Sequence, residues 1–333
     1  MATHAEAIGK VANGRGAVVQ SDSLAHLGIG TLQTLDLKRA RHCYESYFGL
    51  ECVEYAPGRM LCRDRRSKYL MEQGRRNFFV LDVHETDEIA VTQGMTNHWG
   101  FSVAGEDEVR HAREAAVERQ EELGFAVIHP ALNIHGSYSF YMYDVDGNWW
   151  EVEYRKGSTN DLFFSRGDWN SDSYCKHEVV EPELTIAHTE CEVLGDEAFM
   201  THGTTSVIDC QASRPFYEDV LGLRTVTHVR PSHCFAGGGD FGVIGVSAGE
   251  KKILDQSPSN RFVLLVDDDE QLEKQHERVI ASRGEYGLLS VSDIDESDLG
   301  GRGFLLRTRD RIWFEVASTP RASLVEIFDG AGA

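Results

Sequence analysis

The sequence predicts an α+β fold of two tandem modules, each made of paired β-α-β-β-β units forming an open cup-like barrel. Two observations carry that prediction. First, the chain is written twice. LDLKRARHCYESYFGLECV (35–53) parallels IDCQASRPFYEDVLGLRTV (208–226), NHWGFSV (97–103) parallels NRFVLLV (260–266), and DGNWWEVEY (146–154) parallels RDRIWFEVA (309–317). Second, each copy runs strand, helix and several short strands, and then repeats that order.

Taken in order, a strand at 26–34 precedes a helix at 36–47. Asp36 stands at its N-cap, and Phe48-Gly49-Leu50 closes it. Alternating segments at 50–55, 58–64 and 77–84 complete the first unit. The second unit opens with a strand at 97–103, followed by an acidic helix start and a helix over 106–122. Strands at 125–130, 137–143 and 149–155 close it. This divides the chain into an arm (1–20), a first module (21–156), an acidic linker (157–200), a second module (201–320) and a C-terminal tail (321–333).

Composition narrows the function. The 333 residues carry 33 basic and 54 acidic side chains, a net charge of −21, which disfavours a nucleic-acid partner. No apolar run is long enough to span a membrane, and residues 1–20 lack the apolar core of a secretory signal. Seven cysteines with no CxxC pair argue against a disulfide framework or a thiolate zinc site and suit a reducing, cytoplasmic setting.

Strand parity locates the chemistry, because residues i and i+2 share a face. In the first strand His26, Gly28, Gly30 and Leu32 point one way. In NHWGFSV, His98, Gly100 and Ser102 share a face, and in SYSFYMYD so do Ser137, Ser139, Tyr141 and Tyr143. These small or polar faces would line a cup, with His26, His98 and Tyr141 projecting inward and Glu151 on the following strand. Two imidazoles and a carboxylate form a facial-triad kit for Fe(II) or a similar divalent metal.

Those residues resemble the vicinal oxygen chelate superfamily and, more narrowly, its type I extradiol ring-cleavage dioxygenases. The resemblance covers most of 24–156, with a degenerate copy at 203–318. It implies metal ligands His26, His98 and Glu151, holding Fe(II), with Mn(II) or another divalent metal as the alternative. It further implies catalytic roles for His84, ahead of the second ligand, and for His135 and Tyr141, with His129 a rival for the role of His135. The implied substrates are a small aromatic diol and O2, acted on by a cytoplasmic homo-oligomer in aromatic hydrocarbon catabolism. Other members of the superfamily are metal-dependent lyases and isomerases, or metal-free resistance-type binding proteins. In the second copy, Phe199, Arg261 and Leu305 match His26, His98 and Tyr141, while Glu315 is retained and His202 lies three residues out of register. The expectation is therefore one metal, held by the first module alone.

Overall fold

A computed structural model describes residues 26–75, 77–134, 137–155, 167–168, 193–194, 198–229, 233–237 and 241–330. The arm (1–20) and most of the linker (157–200) fall outside the described residues. Four units follow one another along the chain. The first holds β1 (His26–Thr34), α1 (Leu37–Ser46), β2 (Glu51–Ala56), β3 (Arg59–Arg63), α2 (Arg65–Glu72) and β4 (Val80–Glu85). The second holds β5 (His98–Ser102), α3 (Glu106–Glu118), α4 (Gln120–Leu123), β6 (Phe125–Ile128), β7 (Leu132–Ile134), β8 (Ser137–Asp144) and β9 (Trp149–Tyr154). The third holds β10 (Phe199–Val207), α5 (Cys210–Pro215), β11 (Arg224–Val229), β12 (His233–Gly237) and β13 (Gly242–Ser247). The fourth holds β14 (Arg261–Leu265), α6 (Asp269–Tyr286), β15 (Ser290–Val291), β16 (Asp295–Glu296), β17 (Arg302–Arg307) and β18 (Trp313–Ala317), and α7 (Arg321–Gly330) ends the described chain.

The repeat extends to the caps. Asp36 accepts the Arg39 N–H at 3.0 Å and Asp209 accepts the Ala212 N–H at 2.9 Å, so the same position starts α1 and α5. Sequence pattern does not reveal α2, which a buried Asp64 caps by accepting the Ser67 N–H. The stretch expected as a C-terminal tail forms α7 instead.

The four units form two nine-stranded sheets, and each sheet draws on both halves of the chain. The first runs β15-β17-β18-β14-β1-β4-β3-β2, with β16 also paired to β17, joining unit one to unit four. The second runs β11-β12-β13-β10-β5-β9-β8-β6, with β7 also paired to β8, joining unit two to unit three. The seams are the antiparallel pairs β1–β14 and β5–β10. The expected tandem modules of paired β-α-β-β-β units are present, and each open cup is shared between the two halves. Periodicity identifies strands, but the choice of neighbouring edge rests on long-range packing.

That packing is visible where the sheets meet. Trp99, on β5, lies over Gly30 of β1, where an added Cβ would stand 2.3 Å from the indole. Phe262, on β14, lies over Gly203 of β10, where an added Cβ would meet its ring at 2.6 Å. Gly30 pairs with Phe262 and Gly203 with Trp99 across the two seams, so the two sockets are equivalent and reciprocal. Phe79 and Phe241 stack between them with ring centroids 3.4 Å apart.

The two sheets offer two cups with different contents. The cup of the first sheet is filled by Ile29, Val53, Leu61, Val80, Val263, Leu265 and Ala317, and α7 inserts Leu324 and Phe328 into the same cluster. There Arg261 pairs with Glu315 at 2.6 Å, at the positions that match His98 and Glu151. Among the described residues, no helix is long and apolar enough to cross a membrane.

Two outcomes follow. Phe328→Ala removes a buried aromatic that also carries the Arg63 guanidinium over its ring at 4.0 Å. It should cost about 3–4 kcal/mol in denaturant unfolding and leave metal binding at the other sheet intact. Gly203→Ala drives a methyl into the Phe262 and Trp99 rings, and should destabilise by about 1–3 kcal/mol, whereas Gly284→Ala in α6, with open space around it, should not destabilise.

Candidate metal centre

The cup of the second sheet is open, and one row of residues crosses it. His202 on β10 pairs with Gly100 on β5, Gly100 with Glu151 on β9, and Glu151 with Tyr141 on β8. His98 lies two residues before Gly100 on the same face. A side chain at position 100 would collide with the His202 ring, 2.1 Å from its nearest carbon, so the glycine makes room for the imidazole. A β-bulge between Met200 and His202 shifts the β10 register just before the histidine.

Three atoms converge in this row. His98 Nε2 lies 3.1 Å from Glu151 Oε2, His202 Nε2 lies 3.2 Å from the same oxygen, and the two nitrogens are 3.3 Å apart. All three residues are buried, and among the described residues they form a group able to hold a metal ion. Donors bound at about 2.0–2.2 Å in tetrahedral or octahedral geometry sit roughly 3.0–3.5 Å apart. The triangle matches that spacing. His98 Nδ1 donates to the Met95 carbonyl at 2.5 Å, which leaves its Nε2 lone pair aimed at the triangle. Three lone-pair atoms at such distances repel one another unless a cation or protons lie between them. The donor set therefore fits a divalent metal.

The electrostatics agree. Burial opposes ionisation of Glu151, yet its contacts with His202 and His98 hold its carboxyl well below the usual range. Burial pushes His202 down to about 4 despite the Glu151 contact, so its imidazole is neutral at neutral pH, as a ligand must be. Tyr141 hydrogen-bonds Glu151, and burial together with that negative charge keeps its phenol protonated. Beside them, burial pushes the Glu153 carboxyl up to about 8, with Arg155 opposing the rise and Glu151 adding to it.

The cavity above the triangle encloses ≈ 170 Å³. Its polar side carries Tyr141, Ser137, Glu153, Arg155 and Thr204, whose hydroxyl is 3.1 Å from His98 Nε2. Its apolar side carries Met95, Ile244 and Val246. β13 flanks β10 as β9 flanks β5, but it presents Ile244 and Val246 to the cavity where β9 presents a carboxylate.

The structure thus brings together His98, Glu151 and Tyr141 and adds an unexpected third candidate ligand, His202. His26 is not among them. It opens β1 in the other sheet, with its ring edge-on to Phe78 at 5.3 Å. A bulge between Leu27 and Ile29 also breaks the alternation on which the expectation for β1 rests, and Gly30 faces Trp99 instead of a ligand. His84 likewise belongs to the first sheet, where its Nε2 contacts Asp82 at 2.7 Å and Asp82 also holds Arg59 and Tyr55. His135 lies outside the described residues. His129 stacks on Trp149 at 5.5 Å. The expectation of a centre confined to the first module is corrected, since β10 belongs to the second. The available signal is MTHGTTSV, a buried strand whose histidine and Thr204 share a face.

Replacing His202 or His98 by Ala should abolish stoichiometric binding of a divalent metal, read by metal analysis after dialysis. His26→Ala should bind as the wild type does. Loss of metal in the His26 variant with retention in the His202 variant would restore the triad expected from the sequence.

No protein-family model matches the chain, and no curated protein is similar to it in sequence. Solved structures do match. Glyoxalase I from Zea mays aligns with a TM-score of 0.58 at 13% identity, over 92% of this chain and 96% of that one. A "putative dioxygenase" from Bacillus subtilis subsp. subtilis str. 168 aligns with a TM-score of 0.53 at 15% identity, over 89% and 86%. At such identities the likeness concerns the fold, and both alignments run through all four units and both sheets. This chain shares the fold of glyoxalase I, two tandem modules of paired β-α-β-β-β units.

Proposed function

We propose that the protein is an Fe(II)-dependent extradiol dioxygenase that opens the ring of a catecholic substrate with O2. The observation that carries this reading is the donor set: two imidazoles and one carboxylate on one side of an open cavity, with an apolar wall opposite. Three protein ligands leave the remaining coordination positions to substrate and oxygen, the pattern of non-haem iron oxygenases. Bound Fe(II) would supply those positions and pass electron density from a chelated catecholate to O2.

The chain's own residues have definite tasks. Met95, Ile244 and Val246 form an apolar surface against which a flat ring can lie. Tyr141 keeps its proton, so it can donate to a substrate oxygen beside Glu151. Thr204 places a hydroxyl at the edge of the donor triangle, where it can hydrogen-bond a second oxygen. His84, tied to Asp82 in the other sheet, has no part in this cavity, so proton handling falls to Tyr141 or to solvent.

A second reading is a metal-dependent lyase or isomerase. It is favoured by the sharing of the centre between the two halves of the chain, and two imidazoles with a glutamate also suit zinc. The two readings differ in their need for oxygen. Protein loaded anaerobically with Fe(II) should consume O2 with a panel of catechols and release a yellow ring-opened product. Turnover of a non-catechol substrate under nitrogen would move the protein to the second reading. Tyr141→Phe should retain the metal and lower kcat by about 10²-fold, the usual cost of one aimed donor. Unchanged kcat would make Tyr141 a wall residue.

A further inference from the structure

β2 and β3 form the hairpin at the edge of the first sheet, and each carries one cysteine. Cys52 and Cys62 stand directly opposite each other in that antiparallel pair. The register shift of the hairpin lies between Glu54 and Ala56, so the pairing at the cysteines is regular. Directly opposed residues have Cα atoms about 4.5 or 5.5 Å apart, and a disulfide needs about 4.4–6.8 Å. Strand register therefore sets the two backbones within bridging distance, whichever class of pair they form.

The side chains complete the approach. Both cysteines are free, and the Cys52 thiol donates to Cys62 Sγ at 3.1 Å. A disulfide bond measures about 2.0 Å, so about 1 Å remains, which small rotations of the two side chains can close. Both sulfurs belong to the core that also holds Cys43 and Met60, whereas Val53 and Leu61 face the filled cup. Neither thiol has a part in the metal centre, which lies in the other sheet. Burial pushes the Cys52 thiol up, so thiolate is scarce and oxidation is slow. β2 pairs with β3 alone, and local opening of such an edge admits a small oxidant.

We propose that Cys52 and Cys62 are a modification site: a peroxide converts them to a disulfide that staples the edge hairpin of the first sheet. One thiolate sulfur attacks a peroxide oxygen, the O–O bond breaks, and hydroxide leaves as the sulfur becomes a sulfenic acid. The opposing thiol then attacks that sulfur, the S–S bond forms, the S–O bond breaks, and the departing oxygen takes up the thiol proton and leaves as water. Two thiols are oxidised to one disulfide, and one peroxide is reduced to two waters. The pair is placed by strand register, so no rearrangement of the fold has to precede the second step.

The test treats the full chain with hydrogen peroxide, quenches it with a thiol-alkylating reagent and maps the peptides without reduction. The Cys52 peptide should be joined to the Cys62 peptide, and dithiothreitol should release both. Amide hydrogen exchange in β2 and β3 should slow by about tenfold or more in the cross-linked chain, since the bond removes freedom from the opened hairpin. Cys62→Ala, treated in the same way, should show no slowing. If Cys52 and Cys62 are both alkylated in a chain whose methionines have become sulfoxides, the oxidant acted and the pair did not respond, which would overturn the proposal. A bridge from either residue to Cys43 would overturn it as well. Unchanged exchange in the bridged chain, or equal slowing in the Cys62 variant, would refute the staple. The wild-type map decides the bond even if that variant fails to fold.

Discussion

The indole of Trp99 seated on Gly30, and the ring of Phe262 seated on Gly203, hold the two sheets at a fixed distance and in a fixed register. The metal centre depends on this pair of sockets. Trp99 is the residue after His98, and Gly203 is the residue after His202, so each ligand histidine adjoins one member of a socket. Packing below the sheet thereby sets the height and angle of both imidazoles above it. Glycine is required because only a bare Cα lets an aromatic ring approach the strand so closely.

The two cups have corresponding positions and different contents. The cup of the second sheet is polar and open. In the first, Arg261 stands where His98 stands in its counterpart, and it neutralises Glu315 directly. Arg59, Asp82, His84 and Tyr55 form a second polar cluster in that sheet, and Asp298 links Arg59 to Arg261. Apolar side chains and α7 occupy what remains. A guanidinium delivers positive charge with its partner already in place. Glu315 is thus held in an internal ion pair with Arg261 at the position where Glu151 stands in the open cup.

Much of this architecture is legible in the amino-acid sequence. The repeat, the order of strands and helices, the acidic caps and the residues His98, Glu151 and Tyr141 all follow from local pattern, because those signals need only a few neighbouring residues. Local pattern selects His26 over His202 for a physical reason. Aligning the two halves compares β10 with β1, and in that comparison His202 matches Ile29 and looks misplaced. In the sheet, β10 lies against β5, so the relevant comparison is between His202 and its neighbours Gly100 and Glu151. No local periodicity encodes which edge pairs with which, and the bulges in β1 and β10 break the alternation where the ligands begin. The same reason removes His84 from the site: its strand forms where the pattern predicts, but it lies in the other sheet.

Because both seams join units from opposite halves, neither half contains a complete cup. A gene fragment encoding residues 21–156 would carry His98 and Glu151 but no β10, and β1 would lack β14. Neither half can therefore be deleted without breaking both sheets, even though one of the two cups is filled by apolar side chains. Substitutions in the second half of the chain meet two demands at once: unit four must pack the filled cup and unit three must shape the open one. A recombination break anywhere between the halves severs both sheets together, so natural variation in this chain should arise by point change within units and not by loss of a copy.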